Sequence, residues 1–208
     1  MFEDLDIDLL EKYFLEVFPD SLVNEEVYHI LLLVLGEKPG VLLMNVKRSD
    51  IKMIREFCND FDLEIKVTGD DISILDKLLG RVPAVDNTNI YLAEDEERFD
   101  LLKGSKEGYG RFTDRSIGEF LGYPEDSLKY YESEEIPGKF FQEKADFTGF
   151  EDSDLEYLEL VSYVPDPDPE SVSRAIDLGK RREELLRSLD NELGIEVGEN
   201  YLSELKEE

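Results

Sequence analysis

The sequence predicts an α/β or α+β protein, with a small sheet and flanking helices in the N-terminal half and a mainly helical C-terminal half. Three observations carry this expectation. A continuous apolar run at 41–46 is followed by an amphipathic stretch and then by strict alternation at Leu63, Ile65 and Val67, which makes a strand, helix, strand unit. A further short apolar segment at 90–93 supplies another strand. After the proline run 165–169, Val172, Ile176, Leu186 and Leu189 recur at helical spacing over the longest uninterrupted segment.

The elements follow in order. Leu10, Phe14 and Phe18 place a helix over 7–18 that Pro19 and Asp20 stop. Asn24 suits a helix N-cap, with Glu25 and Glu26 in the favourable first turn, and the helix runs through the apolar 30–35 to Gly36. After the Pro39-Gly40 turn, 41–46 reads as a central strand, because strands covered on both faces lack alternation. Ser49 or Asp50 caps a helix that puts Ile51, Ile54, Cys58 and Phe61 on one face. The stretch 71–79 mixes both periods and is assigned to helix. Glu94 to Lys103 reads as a helix with Phe99 and Leu102 inward, and 157–164 as one more strand. The chain is expected to form one compact unit over 1–208. A possible subdivision separates an α/β part, 1–104, from a mainly helical part, 111–208, at the segment containing Gly104, Gly108 and Gly110.

Charge bounds the function. The 208 residues carry 52 Asp and Glu against 23 Lys and Arg, a net charge of −29 spread along the chain, while 41% hydrophobic content suffices for a core. Such a surface repels itself in dilute buffer, whereas at molar salt the Debye length falls to roughly 3 Å and the repulsion is screened. The composition resembles that of proteins from salt-accumulating archaea. It disfavours a membrane surface or a nucleic acid as partner, since phosphate contacts need Lys and Arg, although an acidic halophilic protein can still be basic locally. The longest apolar run is too short for a bilayer, and the N-terminus lacks the features of a secretion signal, so a cytoplasmic protein is expected. One cysteine, Cys58, and one histidine, His29, exclude an internal disulfide and the cysteine- or histidine-rich metal sites. Cys58 reads as an inert core thiol and His29 as a structural residue. No cofactor is expected, because no glycine-rich phosphate loop is present.

The most informative stretch is 113–133. Asp114 is placed to cap a short helix carrying Ile117, Phe120 and Leu121, Gly122 suits the left-handed C-terminal position, and Pro124 opens the next helix. With Leu128 and Tyr131 at packing positions, the hairpin at 114–133 has helix-turn-helix spacing. Its second helix, however, offers Glu125, Asp126, Ser127, Lys129 and Glu132 to a groove that calls for Arg, Lys, Asn or Gln. Residues 121–131, LGYPEDSLKYY, resemble the Leu-Gly-Tyr-Pro-Glu-Cys-Cys signature, with its following apolar and aromatic helix, of an archaeal domain-of-unknown-function family. The likeness is sharpest at Leu121, Gly122, Tyr123, Pro124 and Glu125. The paired cysteines stand here as Asp126 and Ser127, so thiol or metal chemistry does not transfer, and the family implies no activity.

Arg111 and Arg115, beside Tyr109 and Tyr123, form a mixed basic and aromatic group near this turn and are the candidate binding residues, for a protein partner or a small anion. On the last long helix Arg174, Lys180, Arg181, Arg182 and Arg187 run against the acidic background, but Lys180 with Glu184 and Glu183 with Arg187 have the four-residue spacing of surface pairs. The acids Asp166, Asp168 and Glu170 alternate with prolines and read as a stiff linker ending in a helix cap, in preference to a cation loop. The expectation is a non-enzymatic binding or interaction protein. A DNA- or RNA-binding regulator using the hairpin and a carboxylate-dependent metal enzyme are the alternatives.

Overall fold

A computed structural model describes Phe2 and residues 5–68, 87–104, 112–133, 145 and 147–207, with backbone alone at residue 87 and at 204–207. The segment 71–79, expected to be helical, and Gly108 and Gly110 lie outside the described residues. Contacts divide the chain into two units, Met1–Tyr28 with Tyr123–Glu208, and His29–Gly122. One division falls inside a helix, the other inside the Gly122-Pro124 turn.

The second unit holds the sheet. Strands β1 (Gly40–Lys47), β2 (Glu64–Val67) and β3 (Asn87–Ala93) lie in the order β1-β3-β2, and β3 is antiparallel to both neighbours. β1 and β2 are therefore parallel to each other, and the helix between them, Ile51–Asp60, makes the crossover of a split β-α-β unit. The strand, helix, strand reading stands, but among the described strands β3 lies at the centre of the order and β1 at one end. Its apolar run has another cause: Val41 and Leu43 are buried on one face, while Leu42, on the other, packs against Tyr91, Phe120 and their neighbours. The register of β1 against β3 shifts between Leu43 and Val46, where Asn45 takes φ 57° and its N–H donates to Asn89 Oδ1 at 3.1 Å. The helix Ile51–Asp60 ends with Asp62 in the left-handed conformation and the Leu63 N–H bonded to the Cys58 carbonyl at 2.8 Å, closing a turn usually given to glycine. Cys58 is buried in this helix, and desolvation pushes its thiol up to about 12, as befits a core group. His29 is half-buried.

Residues 94–103 do not form an α-helix. They form a 3₁₀ turn, Glu96–Leu101, capped by Asp95, whose Oδ1 accepts from the Arg98 N–H at 2.9 Å. Arg98 then reaches the helix Asp114–Leu121, donating from Nε to the Phe120 carbonyl at 3.0 Å and from Nη2 to that of Glu119 at 2.7 Å. Both carbonyls belong to the last turn, where intrahelical partners run out, and that of Glu119 also accepts from the Gly122 N–H at 3.2 Å. Phe120, fully buried, stacks on Phe99 and meets Tyr91 edge-on. Thr113, rather than Asp114, caps this helix, its hydroxyl accepting from the Ser116 N–H at 3.2 Å, while Asp114 occupies the first turn. Gly122 ends it at φ 79° with Pro39 so close that a Cβ would lie 2.6 Å from the proline ring, so the turn needs glycine twice over.

The first unit is helical. Its opening helix, Ile7–Glu11, continues into a π-helical segment, Lys12–Val17, closed by the Phe18 N–H on the Tyr13 carbonyl at 2.9 Å. The extra residue per turn leaves Leu10, Phe14 and Phe18 all buried. The long helix Pro169–Leu193 buries Val172, Ile176, Leu186 and Leu189, and the terminal helix Val197–Glu207 packs beside it. Residues 157–164 are not a strand: a short helix, Asp152–Leu155, runs into a 3₁₀ segment, Glu156–Leu160, and an irregular stretch follows. Among the described residues no helix is long and apolar enough to cross a membrane.

Candidate functional site

The four residues singled out near the signature turn are not shown as one group. Tyr109 and Arg111 lie outside the described residues. Arg115, in the second unit, donates from Nε to Glu119 Oε1 at 3.0 Å, one turn along its own helix. Tyr123, in the first unit, is half-buried with its ring 5.7 Å from that of Tyr163, and burial pushes its phenol up. Tyr131, expected to pack, is 38% exposed, whereas its neighbour Tyr130 is buried. At the positions where the resembling signature has cysteines, Asp126 accepts from Ser171 Oγ at 2.6 Å and pairs with Arg174, and Ser127 is buried. Burial works to raise the Asp126 carboxyl, but hydrogen bonds from Ser171, the Ser127 backbone and Arg174 outweigh it and hold the carboxyl below its ordinary range.

The cations of the long helix are largely engaged within the unit. Arg174 bonds Asp126 and, at 3.0 Å, Glu170. Lys180 meets Asp154 at 2.5 Å, not the Glu184 that spacing suggested, and lies over the Tyr157 ring. Arg187 pairs with Glu183 at 2.9 Å, as the spacing indicates, and also with Glu199. Arg182 is buried and donates from Nη1 to the Leu160 carbonyl at 2.7 Å. Asp168 caps the helix, its Oδ1 accepting from the N–H groups of Glu170 and Ser171, so the proline-rich acids act as a cap and stiff lead-in. Among the described residues no group of three or more His, Cys, Asp or Glu side chains is placed to hold a metal ion.

The geometry that invites a ligand lies elsewhere in the first unit. Tyr28 Oη and Arg182 both donate to the Leu160 carbonyl, at 2.9 and 2.7 Å, and so pin the end of the 3₁₀ segment. The chain then leaves in extended conformation at Val161, and Tyr163 is held against Tyr123. Tyr131 and Val164 line the same space. Between these parts lies an open groove of about 550 Å³. Leu155, Leu158, Val161 and Pro165 supply its apolar lining, Tyr131 and Tyr163 its rings, and Glu25, Asp152, Glu156 and Glu159 its carboxylates. All four carboxylates are exposed. Desolvation pushes both phenols up, so the rings stay neutral at ordinary pH.

No family model, curated protein or solved structure matches this chain. The groove is not legible in the sequence. Its walls come from three separated stretches, and each of its carboxylates is one of 52. The nearest signal was Tyr163, whose ring partner Tyr123 had been singled out.

Proposed function

We propose that this chain is a non-enzymatic interaction protein whose binding face is the acidic, tyrosine-lined groove of the first unit. The observation that carries the reading is the coincidence of concave space, two neutral rings and four exposed carboxylates in one place. Its volume lies in the range of ligand sites, and its opening to solvent suits part of a larger partner, because small-molecule sites enclose most of their ligand. A positively charged partner surface complements it.

The other readings find less support. The second hairpin helix, Glu125–Ser133, begins with Glu125 and Asp126, and its Lys129 sits 3.6 Å from Glu125, an arrangement that repels phosphate. Arg174, Lys180 and Arg187 have acidic partners within the chain, which weakens the case for a basic helix that grips nucleic acid. The likeness to the archaeal signature family adds no activity to either.

Amide hydrogen exchange with and without poly-L-lysine tests the reading. Slower exchange is expected across 152–165 and around Tyr131. Slowing confined to other parts of the chain, or none anywhere, contradicts it.

We further propose that the chain works in a salt-rich archaeal cytoplasm. The support is the net charge of −29, whose self-repulsion only concentrated salt screens. The melting temperature should rise steeply as potassium chloride increases from about 0.1 M to about 2 M. A melting temperature indifferent to salt over that range removes the salt adaptation and leaves the groove untouched.

A further inference from the structure

We infer that the occupant of the groove is an extended, arginine-bearing segment of a partner protein, an inference that rests on the reading of the groove as the binding face. Acids alone do not carry it, since a chain with 52 of them has carboxylates everywhere.

Its carboxylates are exposed, so a simple ion pair there gains little and loses most of that to salt. Contact-range terms must hold the ligand. Tyr131 and Tyr163 line the same space as Glu156 and Glu159, and a planar guanidinium stacks on a ring while donating two parallel N–H bonds to a carboxylate. An ammonium is a compact, strongly hydrated charge and makes the second interaction only as a point. The three-carbon stem of arginine also covers apolar wall, here Leu155, Leu158 and Val161. An inorganic cation uses neither the rings nor that wall. Nor is there a cluster of metal-ligating side chains among the described residues to hold one.

The opening of the groove to solvent favours a segment that stays attached to a larger body. Tyr131, one of the groove's lining residues, is 38% exposed and so is open to contact in the free protein. Pro165 and the pinned Leu160 carbonyl bracket the wall between them, so the site is in place before the partner arrives.

The test is fluorescence anisotropy with labelled glycine-spaced peptides carrying arginine, lysine or citrulline, at a salt concentration where the protein melts cooperatively. The arginine peptide should bind about three- to fivefold tighter than the lysine peptide, the scale of one exposed cation–π contact, and the citrulline peptide should not bind. Tyr131→Leu, which keeps the apolar bulk and removes the ring, should erase the arginine preference without abolishing lysine binding. Equal binding of arginine and lysine overturns the inference and leaves the groove as a cationic site. Failure of both peptides overturns the inference and the groove reading together. Displacement of the arginine peptide by magnesium chloride, but not by potassium chloride of equal ionic strength, assigns the space to a divalent cation and overturns the inference.

Discussion

Gly179→Ala is expected to lower the melting temperature by several degrees, against the usual sign of a glycine-to-alanine change in a helix. In a free helix that substitution stabilises by about 1 kcal/mol, because alanine has less backbone freedom to lose. Here a Cβ would lie 2.1 Å from the Tyr157 carbonyl oxygen and 2.9 Å from the Tyr157 Cβ. Neither neighbour is the far end of a flexible chain, so the 3₁₀ segment Glu156–Leu160 must move bodily off the long helix. Overpacking of this kind costs about 1–3 kcal/mol, which in a chain of this length is a shift of several degrees. The same displacement moves Glu156, Leu158 and Glu159, three walls of the groove, so binding should weaken along with stability. Thermal melting followed by circular dichroism reads the first effect. A variant that melts higher than the parent contradicts the close seating of this segment.

The second large effect is on binding. Reversing Glu156 and Glu159 to lysine places two cations in the groove while changing only exposed side chains. The change removes carboxylates that accept the paired guanidinium N–H bonds and sets ammonium groups in their place, so affinity for an arginine peptide should fall by at least about tenfold, on the order of 1.4 kcal/mol. The fold should not suffer, because the substitution lowers a net negative charge that opposes compaction.

Much of the fold was legible because local chemistry and tertiary structure agree where the chain is strongly patterned. Asp168 before Pro169, with apolar residues at helical spacing behind it, announces the long helix, and its carboxylate does cap it. Gly122 in a left-handed conformation was readable because only glycine takes it without cost. The strands at 40–47 and 64–67 were readable for the opposite reason, an absence of helical period. What misled was apolar spacing that fits two structures. At 155–163, Leu158 and Leu160 alternate like a strand, whereas Leu155, Leu158 and Val161 recur every third residue, the period of the 3₁₀ segment that the Leu160 anchors stabilise. Strand order was not legible either, since a continuous apolar run reports burial of both faces and does not distinguish an edge from a centre.

The candidate site was the least legible part, and the reason is the charge. Where a quarter of the residues are acids, a cluster of carboxylates in sequence carries almost no information, and only the fold shows which of them share concave space with tyrosine rings. Arg115 and Tyr123 attracted notice for being basic and aromatic against that background. Arg115 is engaged on its own helix, and Tyr123 serves the groove from behind, through Tyr163.

The most direct measurement is the dissociation constant of the labelled arginine peptide for three proteins at one salt concentration: the parent, Glu156→Lys with Glu159→Lys, and Glu16→Lys with Asp20→Lys. The last pair makes the same change in net charge at exposed positions that do not line the groove. The groove reading expects the first pair to lose at least about tenfold and the second to stay within about twofold of the parent, with melting undisturbed in both. Equal weakening by the two pairs, or weakening by neither, contradicts it.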